Sequence, residues 1–250
     1  MSNTTSTNFI PSVEKAIGIM NCLGEEKASP LTTSVLANRV GASVSTCYRI
    51  LKTLESAGWV RGDRENGYRV STGLLRVLGP LNVIREIATL AGPILNALSA
   101  RTGMTAKLSV RQGRDQVTIA AGQPRVPLAV LAPVGVPYPV VQAASGAVLV
   151  AHLKDAEINK MIDHTSAADW GHDAPENLWQ RIAQCRETGV VENIGHHPMG
   201  LDAIACAIEH PRERLALTLI GLHGEMNNAQ RPLLRKDLCA VRDELLVLLM

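Results

Sequence analysis

The first part of the chain carries the spacing of amphipathic helices. Between residues 12 and 23, apolar side chains recur three and four positions apart, which predicts a helix with one buried face. A second, short helix is predicted after Thr32 or Thr33, either of which can cap it, and Gly41 ends it. A third helix is predicted over residues 43–57, because a serine stands at its start and a glycine directly after it.

Two short strand patterns follow these helices. Residues 59–61 and 68–70 flank a polar turn that contains Asn66-Gly67, so we expect a β-hairpin. Three helices and a hairpin in this order are the outline of a winged helix-turn-helix, the frame of many DNA-binding domains.

The remainder of the chain alternates strand and helix patterns. Strands are predicted over residues 105–110, 116–121, 128–132, 203–209 and 215–222. Helices are predicted over residues 94–100, 144–153, 157–163, 176–187 and 228–248. This mixture predicts an α+β protein whose C-terminal part is an α/β sensor domain of the GAF/PAS-like kind. The expected divisions are a disordered tail, a winged helix-turn-helix domain, a linker helix and an effector-binding and oligomerisation domain, over residues 1–11, 12–71, 72–90 and 91–250.

Composition is typical of a soluble globular protein. Hydrophobic residues make up 46% of the chain and charged residues 19%, which excludes a disordered protein. The five cysteines are odd in number and never paired as C-x-x-C, which favours free thiols over disulfides or a zinc ribbon. The first residues are polar and lack the apolar run of a signal peptide. We therefore expect a cytoplasmic protein.

One uncharged segment is long enough to be compared with a membrane span. Residues 126–151 contain no charged residue over 26 positions, but they contain four prolines. Each proline inside a helix costs about 3 kcal/mol, and lipid offers the freed carbonyl groups no water. We expect no membrane association, and a buried strand, a proline-rich loop and a helix start over this segment.

The third predicted helix has one apolar face and one face suited to DNA. Its hydroxyl and cationic side chains fall on the same side of a helical wheel, and its acid, Glu55, lies at the flank. Major-groove contacts use such a face, because arginine bonds guanine edges and hydroxyl groups bond bases or phosphates. The hairpin adds further arginines. The residues predicted to contact DNA are Thr33, Ser43, Ser45, Thr46, Tyr48, Arg49, Lys52, Arg61, Arg64 and Arg69.

The distribution of charge also indicates a polyanionic partner for the N-terminal part. Residues 1–90 hold 10 Lys or Arg against 7 Asp or Glu, whereas residues 91–250 hold 15 against 16. We expect the partner to be double-stranded operator DNA. One winged domain contacts too little DNA to select an operator, so we expect a homodimer or homotetramer on a palindromic site.

The sequence lacks the patterns of catalysis, metal binding and cofactor binding. Ser145 does not lie in a G-x-S-x-G elbow, and no phosphate-binding or dinucleotide fingerprint occurs. The adjacent His196 and His197 do not have the spacing of metal ligands. We therefore expect no enzymatic activity, no catalytic residues, no metal and no cofactor.

Many positions along the chain match the motifs of a known family. In the N-terminal part these are Ser12-Val13-Glu14-Lys15-Ala16, Leu31, Leu36-Ala37, Gly41, Ser45-Thr46, Tyr48-Arg49-Ile50-Leu51, Leu54, Gly58, Tyr68, Leu74 and Leu78-Gly79. In the C-terminal part they are Ala91-Gly92-Pro93, Leu98, Thr102-Gly103, Gly135, Ala143-Ala144-Ser145-Gly146, Gly189, Gly200 and Ile204-Ala205-Cys206. The chain thus resembles the IclR family of bacterial transcription regulators, which include repressors, over nearly its full length.

The resemblance implies a small-molecule pocket in the C-terminal domain. The residues it suggests for effector binding are Pro133, Gly135, Ala144, Ser145, Gly146, Asp202, Ile204 and Cys206. The family's polar run before the pocket helix is replaced by Val141-Gln142-Ala143-Ala144, and its lysine within that helix by Ala147. We therefore predict a pocket more apolar than is usual in the family, and a neutral or aromatic effector. The alternative is a C-terminal domain that only oligomerises.

Overall fold

The computed structural model describes residues 9–26, 29–197 and 199–250, and its contacts divide the chain into two compact units between Asn82 and Val83. Residues 1–8 of the predicted disordered tail lie outside the described residues. The first helix begins at Pro11, within the segment assigned to that tail.

The N-terminal unit contains the predicted helices and hairpin. Its elements are α1 (Pro11–Glu25), α2 (Thr33–Arg39), α3 (Val44–Ser56), β1 (Val60–Asp63) and β2 (Gly67–Val70). One apolar core holds them together, formed around the fully buried Tyr68, Ile19, Leu36 and Leu51. Leu31 forms an isolated β-bridge with the hairpin, since its N–H and C=O both bond the backbone of Tyr68.

Side-chain caps fix where the two central helices begin. The Thr32 hydroxyl accepts from the Val35 N–H at 3.4 Å and caps α2, and the Ser43 hydroxyl accepts from the Thr46 N–H at 3.1 Å and caps α3. Of the two threonines that could cap α2, Thr32 therefore does so. The Ser43 cap ends the short turn between the two helices and so fixes where α3 begins.

The predicted linker helix is interrupted. Two short 3₁₀ turns, Thr72–Leu74 and Gly79–Leu81, flank α4 (Leu75–Leu78), and the long helix α5 (Asn82–Thr102) follows. Pro80 lies in the second turn, where its missing N–H is tolerated. Because α5 continues through Pro93, the division expected at residue 90 falls inside a helix.

The C-terminal unit is built on one antiparallel sheet. Its strands are β3 (Thr105–Gln112), β4 (Asp115–Gly122), β5 (Pro137–Pro139), β6 (Val190–Asn193), β7 (Leu201–Glu209) and β8 (Arg214–Leu222), in the order β5-β4-β3-β8-β7-β6. The other helices are α6 (Ala143–Val150), α7 (Asp155–Asp163), α8 (Ala167–Trp170), α9 (Pro175–Thr188) and α10 (Arg231–Leu249). Apolar residues of α5 and α10 cover one face of the sheet, and those of α6, α7 and α9 cover the other.

The strand predicted over residues 128–132 was wrong. This segment is a loop between Pro127 and Pro133, and the Val130 carbonyl accepts from the Thr105 hydroxyl at 2.6 Å instead of joining a ladder. The short strands β5 and β6 were missed. Across the described part of the chain, no helix is both long and apolar enough to cross a membrane.

Candidate DNA interface and effector site

Helix α3 presents the face that the sequence predicted. Cys47, Leu51 and Leu54 are buried against the N-terminal core, whereas Ser45 and Arg49 are exposed on the opposite side. Arg49 forms no ion pair with any described residue. An exposed arginine beside a hydroxyl group, one turn into a capped helix, can reach base edges in a major groove.

The hairpin places two arginines opposite each other. Arg61 on β1 and Arg69 on β2 are paired in the strand register, and both are exposed. Neither has a carboxylate partner among the described residues. The pair concentrates positive charge on one exposed face of the hairpin, where a phosphate backbone would neutralise it.

Tyr48 joins the hairpin to α3. The Arg64 guanidinium lies over the Tyr48 ring, with 3.7 Å between its carbon and the ring centroid. Arg64 and the starts of α2 and α3 border an open hollow, lined by Thr32, Thr33, Ser34, Val44, Ser45 and Arg64. Ser34 and Val44 were missed, although their places in the first turns of two helices could have indicated them.

Three of the predicted DNA contacts have side chains that are buried or already have partners within the protein. Thr33 is buried and its hydroxyl oxygen has no exposed surface, so its side chain is not available to DNA. The Ser43 hydroxyl caps α3 and also donates to the Thr46 hydroxyl at 2.9 Å. Lys52 is exposed but forms an ion pair with Glu55 at 2.5 Å, so part of its charge is already neutralised.

The expected effector residues of α6 are packed into the core. The Ser145 hydroxyl donates to Gln116 Oε1 at 2.6 Å, and Gln116 Nε2 donates to the Gln142 carbonyl at 3.1 Å. A methyl group on Gly146 would lie 1.9 Å from the Val140 carbonyl oxygen, so this glycine permits a close backbone approach. Ala144 is fully buried. These residues therefore hold α6 against the segment before it.

The start of α6 is nevertheless an unusual backbone. Ala143 has φ of +65°, the one left-handed non-glycine residue among those described. Such strain clusters at ligand sites. Of the predicted covering loop, Pro133 and Gly135 are exposed, and the Gly135 N–H donates to the Thr118 carbonyl at 2.9 Å.

Three predicted wall residues belong to the opposite face of the sheet. Ile204 and Cys206 pack in the core beneath α5 and α10, away from α6, and burial raises the pKa of the Cys206 thiol to about 12. Asp202 shares their side of β7, and its carboxylate accepts from the Gly195 N–H at 2.7 Å. Successive side chains of a strand point to opposite faces of the sheet. A prediction that is shifted by one residue therefore assigns every side chain to the wrong face.

A polar patch occupies the sheet face that α6 covers. Leu108 and Val110 of β3 face α5 and α10, as do Leu215, Leu217 and Leu219 of β8, so the residues between them face the other way. The polar patch consists of Thr105, Lys107, Ser109 and Thr218. The hydroxyl oxygens of Ser109 and Thr218 are buried and have no hydrogen-bond partner among the described residues.

A second polar group lies at the edge of the same face. Arg181 on α9 is buried and donates to the Asp173 carboxylate at 2.6 Å. A cavity of about 230 Å³ adjoins it, lined by Asn177, Gln180, Arg181, Gln184, Glu192, Asn193 and His196. No group of three potential metal ligands occurs among the residues that the structure describes.

Comparison with protein-family models decides the identity of the chain. Residues 12–64 match the IclR helix-turn-helix domain. Residues 82–244 match the C-terminal domain of the bacterial transcriptional regulator IclR. The chain belongs to the IclR family. It is a DNA-binding transcription regulator, and the predicted resemblance is confirmed.

Curated IclR-family relatives extend over most of the chain. The HTH-type transcriptional regulator XynR of Escherichia coli K12 is 29% identical over 240 residues, covering 92% of this chain and 93% of XynR. The HTH-type transcriptional repressor AllR of the same strain is 26% identical over 201 residues, covering 78% of this chain and 73% of AllR. These relatives are regulators, so the expectation that the chain is not an enzyme agrees with them.

Solved IclR-family structures share the fold. The IclR protein of Thermotoga maritima superposes with a TM-score of 0.70 at 18% identity, covering 95% of this chain and 98% of that one. An IclR homologue of Microbacterium hydrocarbonoxydans, solved with 4-hydroxybenzoate, gives 0.66 at 17% identity, covering 94% and 98%. The predicted fold, a winged helix-turn-helix followed by an α/β domain, is confirmed.

Proposed function

We propose that this regulator binds a palindromic operator in the cytoplasm as a homodimer or homotetramer, with α3 in the major groove. Arg49 and Ser45 are the proposed base contacts, and Arg61 and Arg69 the proposed phosphate contacts. The opposed arginines of the hairpin, neither paired with a carboxylate of a described residue, support this proposal, because a phosphate backbone would neutralise both charges. Tyr48 contributes by holding Arg64 beside α3.

We further propose that a small organic effector binds the α6 face of the sheet and changes operator affinity. The buried hydroxyl groups of Ser109 and Thr218 support this, because a buried polar group without a partner is costly unless a ligand pairs with it. The exposed loop approaches this face at Gly135, whose N–H bonds the carbonyl of Thr118, the residue paired with Ser109 in the strand register. The Microbacterium homologue solved with 4-hydroxybenzoate gives a precedent in the same fold.

The test combines two measurements on the full chain. A library of neutral and charged metabolites is screened for compounds that raise the melting temperature, and each compound found is added to an operator-binding titration. We expect at least one compound to do both. A screen in which no compound raises the melting temperature would instead favour a C-terminal unit that only oligomerises.

A further inference from the structure

The first residue of helix α3 exposes an apolar side chain on the proposed DNA-binding face. Val44 directly follows the capping residue Ser43 and is 53% exposed. The other exposed residues of α3 are all polar, namely Ser45, Arg49, Lys52, Thr53 and Ser56. Val44 is therefore the one exposed apolar residue that α3 offers to a partner.

Neither helix stability nor packing accounts for a valine at this position. Valine loses side-chain freedom in a helix, so its helix propensity is lower than that of alanine or of the long polar residues. Its exposed area gains little from burial, in contrast to Cys47 and Leu51, which lie in the core. Single exposed valines are common on protein surfaces, and what distinguishes Val44 is its place at the start of the proposed recognition helix.

Polar groups adjoin Val44 at the starts of α2 and α3. The open hollow between these two helices is bordered by Val44, by the hydroxyl-bearing Ser34 and Ser45, and by Arg64. Arg64 lies over the Tyr48 ring and forms no ion pair with any described residue. A partner that matches this surface is therefore anionic as a whole and presents an apolar group at one point.

Duplex DNA meets both requirements in its major groove. The phosphate backbone is anionic, and thymine adds a C5-methyl group, the one methyl group among the four base edges in that groove. A recognition helix places its N-terminal residues against the base edges. Val44 is therefore positioned to contact a thymine methyl group, a contact that the polar side chains of Ser45 and Arg49 are not suited to make.

We propose that Val44 contacts the C5-methyl group of a thymine and so makes the regulator prefer thymine at one position of each operator half-site. The inference rests on the proposed function, in which α3 occupies the major groove. It adds one apolar contact to the polar contacts proposed for Arg49 and Ser45. Because 5-methylcytosine carries its methyl group on the same ring carbon, this position should accept 5-methylcytosine better than cytosine.

The test removes the methyl group from the DNA and from the protein in turn. A site selected from random DNA with the full chain is synthesised with uracil in place of each thymine of one half-site, one position at a time. Uracil keeps every hydrogen-bonding atom of thymine and lacks only the methyl group. We expect one such substitution to weaken binding about fourfold, the effect of exposing one methyl-sized group.

Variants of the protein then assign that effect to Val44. Val44→Ala should lose the difference between the thymine and uracil sites, because alanine lacks both γ-methyl groups. Val44→Thr keeps one of them and should retain part of the difference. Val35→Ala, which shortens an exposed valine on α2, is the matched control and should leave the difference unchanged.

The uracil substitutions use the unaltered chain, so they decide the matter even if a variant folds poorly. A selected half-site at which no uracil weakens binding overturns the proposal, and so does a Val44→Ala protein that keeps the full difference. Should Val44→Ala weaken binding to all sequences alike, Val44 contacts the sugar–phosphate backbone, and this inference fails while the proposed function stands. If the unaltered chain selects no sequence at all, both fail.

Discussion

At the scale of single residues, Lys107 has a direct consequence for stability. Its pKa is about 8 in the folded chain against an ordinary value of 10.5, so the folded state binds its proton less tightly than the unfolded state. The charged lysine therefore opposes folding. The resulting loss in the free energy of unfolding is complete below about pH 8. It declines as the pH rises and vanishes above about pH 10.5.

Replacing Lys107 by methionine should therefore stabilise the ligand-free protein at neutral pH. We expect a gain of up to about 3 kcal/mol in the free energy of unfolding at pH 7, shrinking toward zero as the pH approaches 10.5. Denaturant titrations at several pH values measure it, with Lys236→Met as the control. Equal stability of Lys107→Met and the unaltered chain at pH 7 would show that the ammonium is not desolvated.

The contact between Tyr48 and Arg64 gives a second prediction for single residues. Tyr48→Ala removes the ring under the guanidinium and should weaken operator binding by about 0.5–1 kcal/mol. Tyr48→Phe keeps the ring and removes only the hydroxyl group. Operator titrations of both variants separate the two groups, and an equal loss in both would assign the effect to the hydroxyl group as a DNA contact.

At the scale of elements, helix α6 depends on the absence of a side chain at Gly146. Gly146→Ala would place a methyl group 1.9 Å from the Val140 carbonyl oxygen, so we expect a loss of about 1–3 kcal/mol and of effector binding. Gly24→Ala is the matched control, because Gly24 lies within α1, is followed by a glutamate and has nothing near its added methyl group. It should gain about 0.5–1 kcal/mol from helix propensity. Thermal unfolding of the two variants should shift in opposite directions, and a shared direction would contradict this packing.

The sequence predicted the positions of helices and strands better than it predicted which face of the sheet each side chain of a strand occupies. The helical spacing around Cys47 and Leu51 identified the buried side of α3, and so the exposed Arg49, since one face is apolar and the other polar. On β7, apolar residues fill both faces, so no alternation showed that Ala203 and Ala205 face α6 while Ile204 faces α5.

The polar patch was missed for a related reason. Lys107 and Thr218 are 111 positions apart in the chain and meet only through the register of β3 and β8. No local pattern encodes that register. The strand expected over residues 128–132 failed similarly, because short apolar runs between prolines fit a loop as well as a strand.

At the scale of the whole molecule, exposed apolar residues in the N-terminal unit favour self-association. Val13 and Ile17 are both about half exposed on α1, and Leu75 and Val77 are exposed on α4. We expect a dimer or tetramer in sedimentation at micromolar concentration. Val13→Glu combined with Ile17→Glu should shift it toward smaller species. A monomer that still protects a palindromic site would contradict the proposed assembly.

Selection of binding sites from random DNA tests the central claim, which is that α3 recognises bases and the hairpin binds phosphates. Random DNA is selected with the full chain and with Arg49→Ala and Arg61→Ala, and affinities are then measured at several salt concentrations. The account predicts inverted half-sites for the unaltered chain. Arg49→Ala should lose about 1–3 kcal/mol of binding free energy on the selected site, and its base preference should relax at one position of each half-site. Arg61→Ala should weaken binding to all sequences alike, and its affinity should depend less steeply on salt concentration. An Arg49→Ala protein that selects the same sequence with unchanged affinity would contradict it.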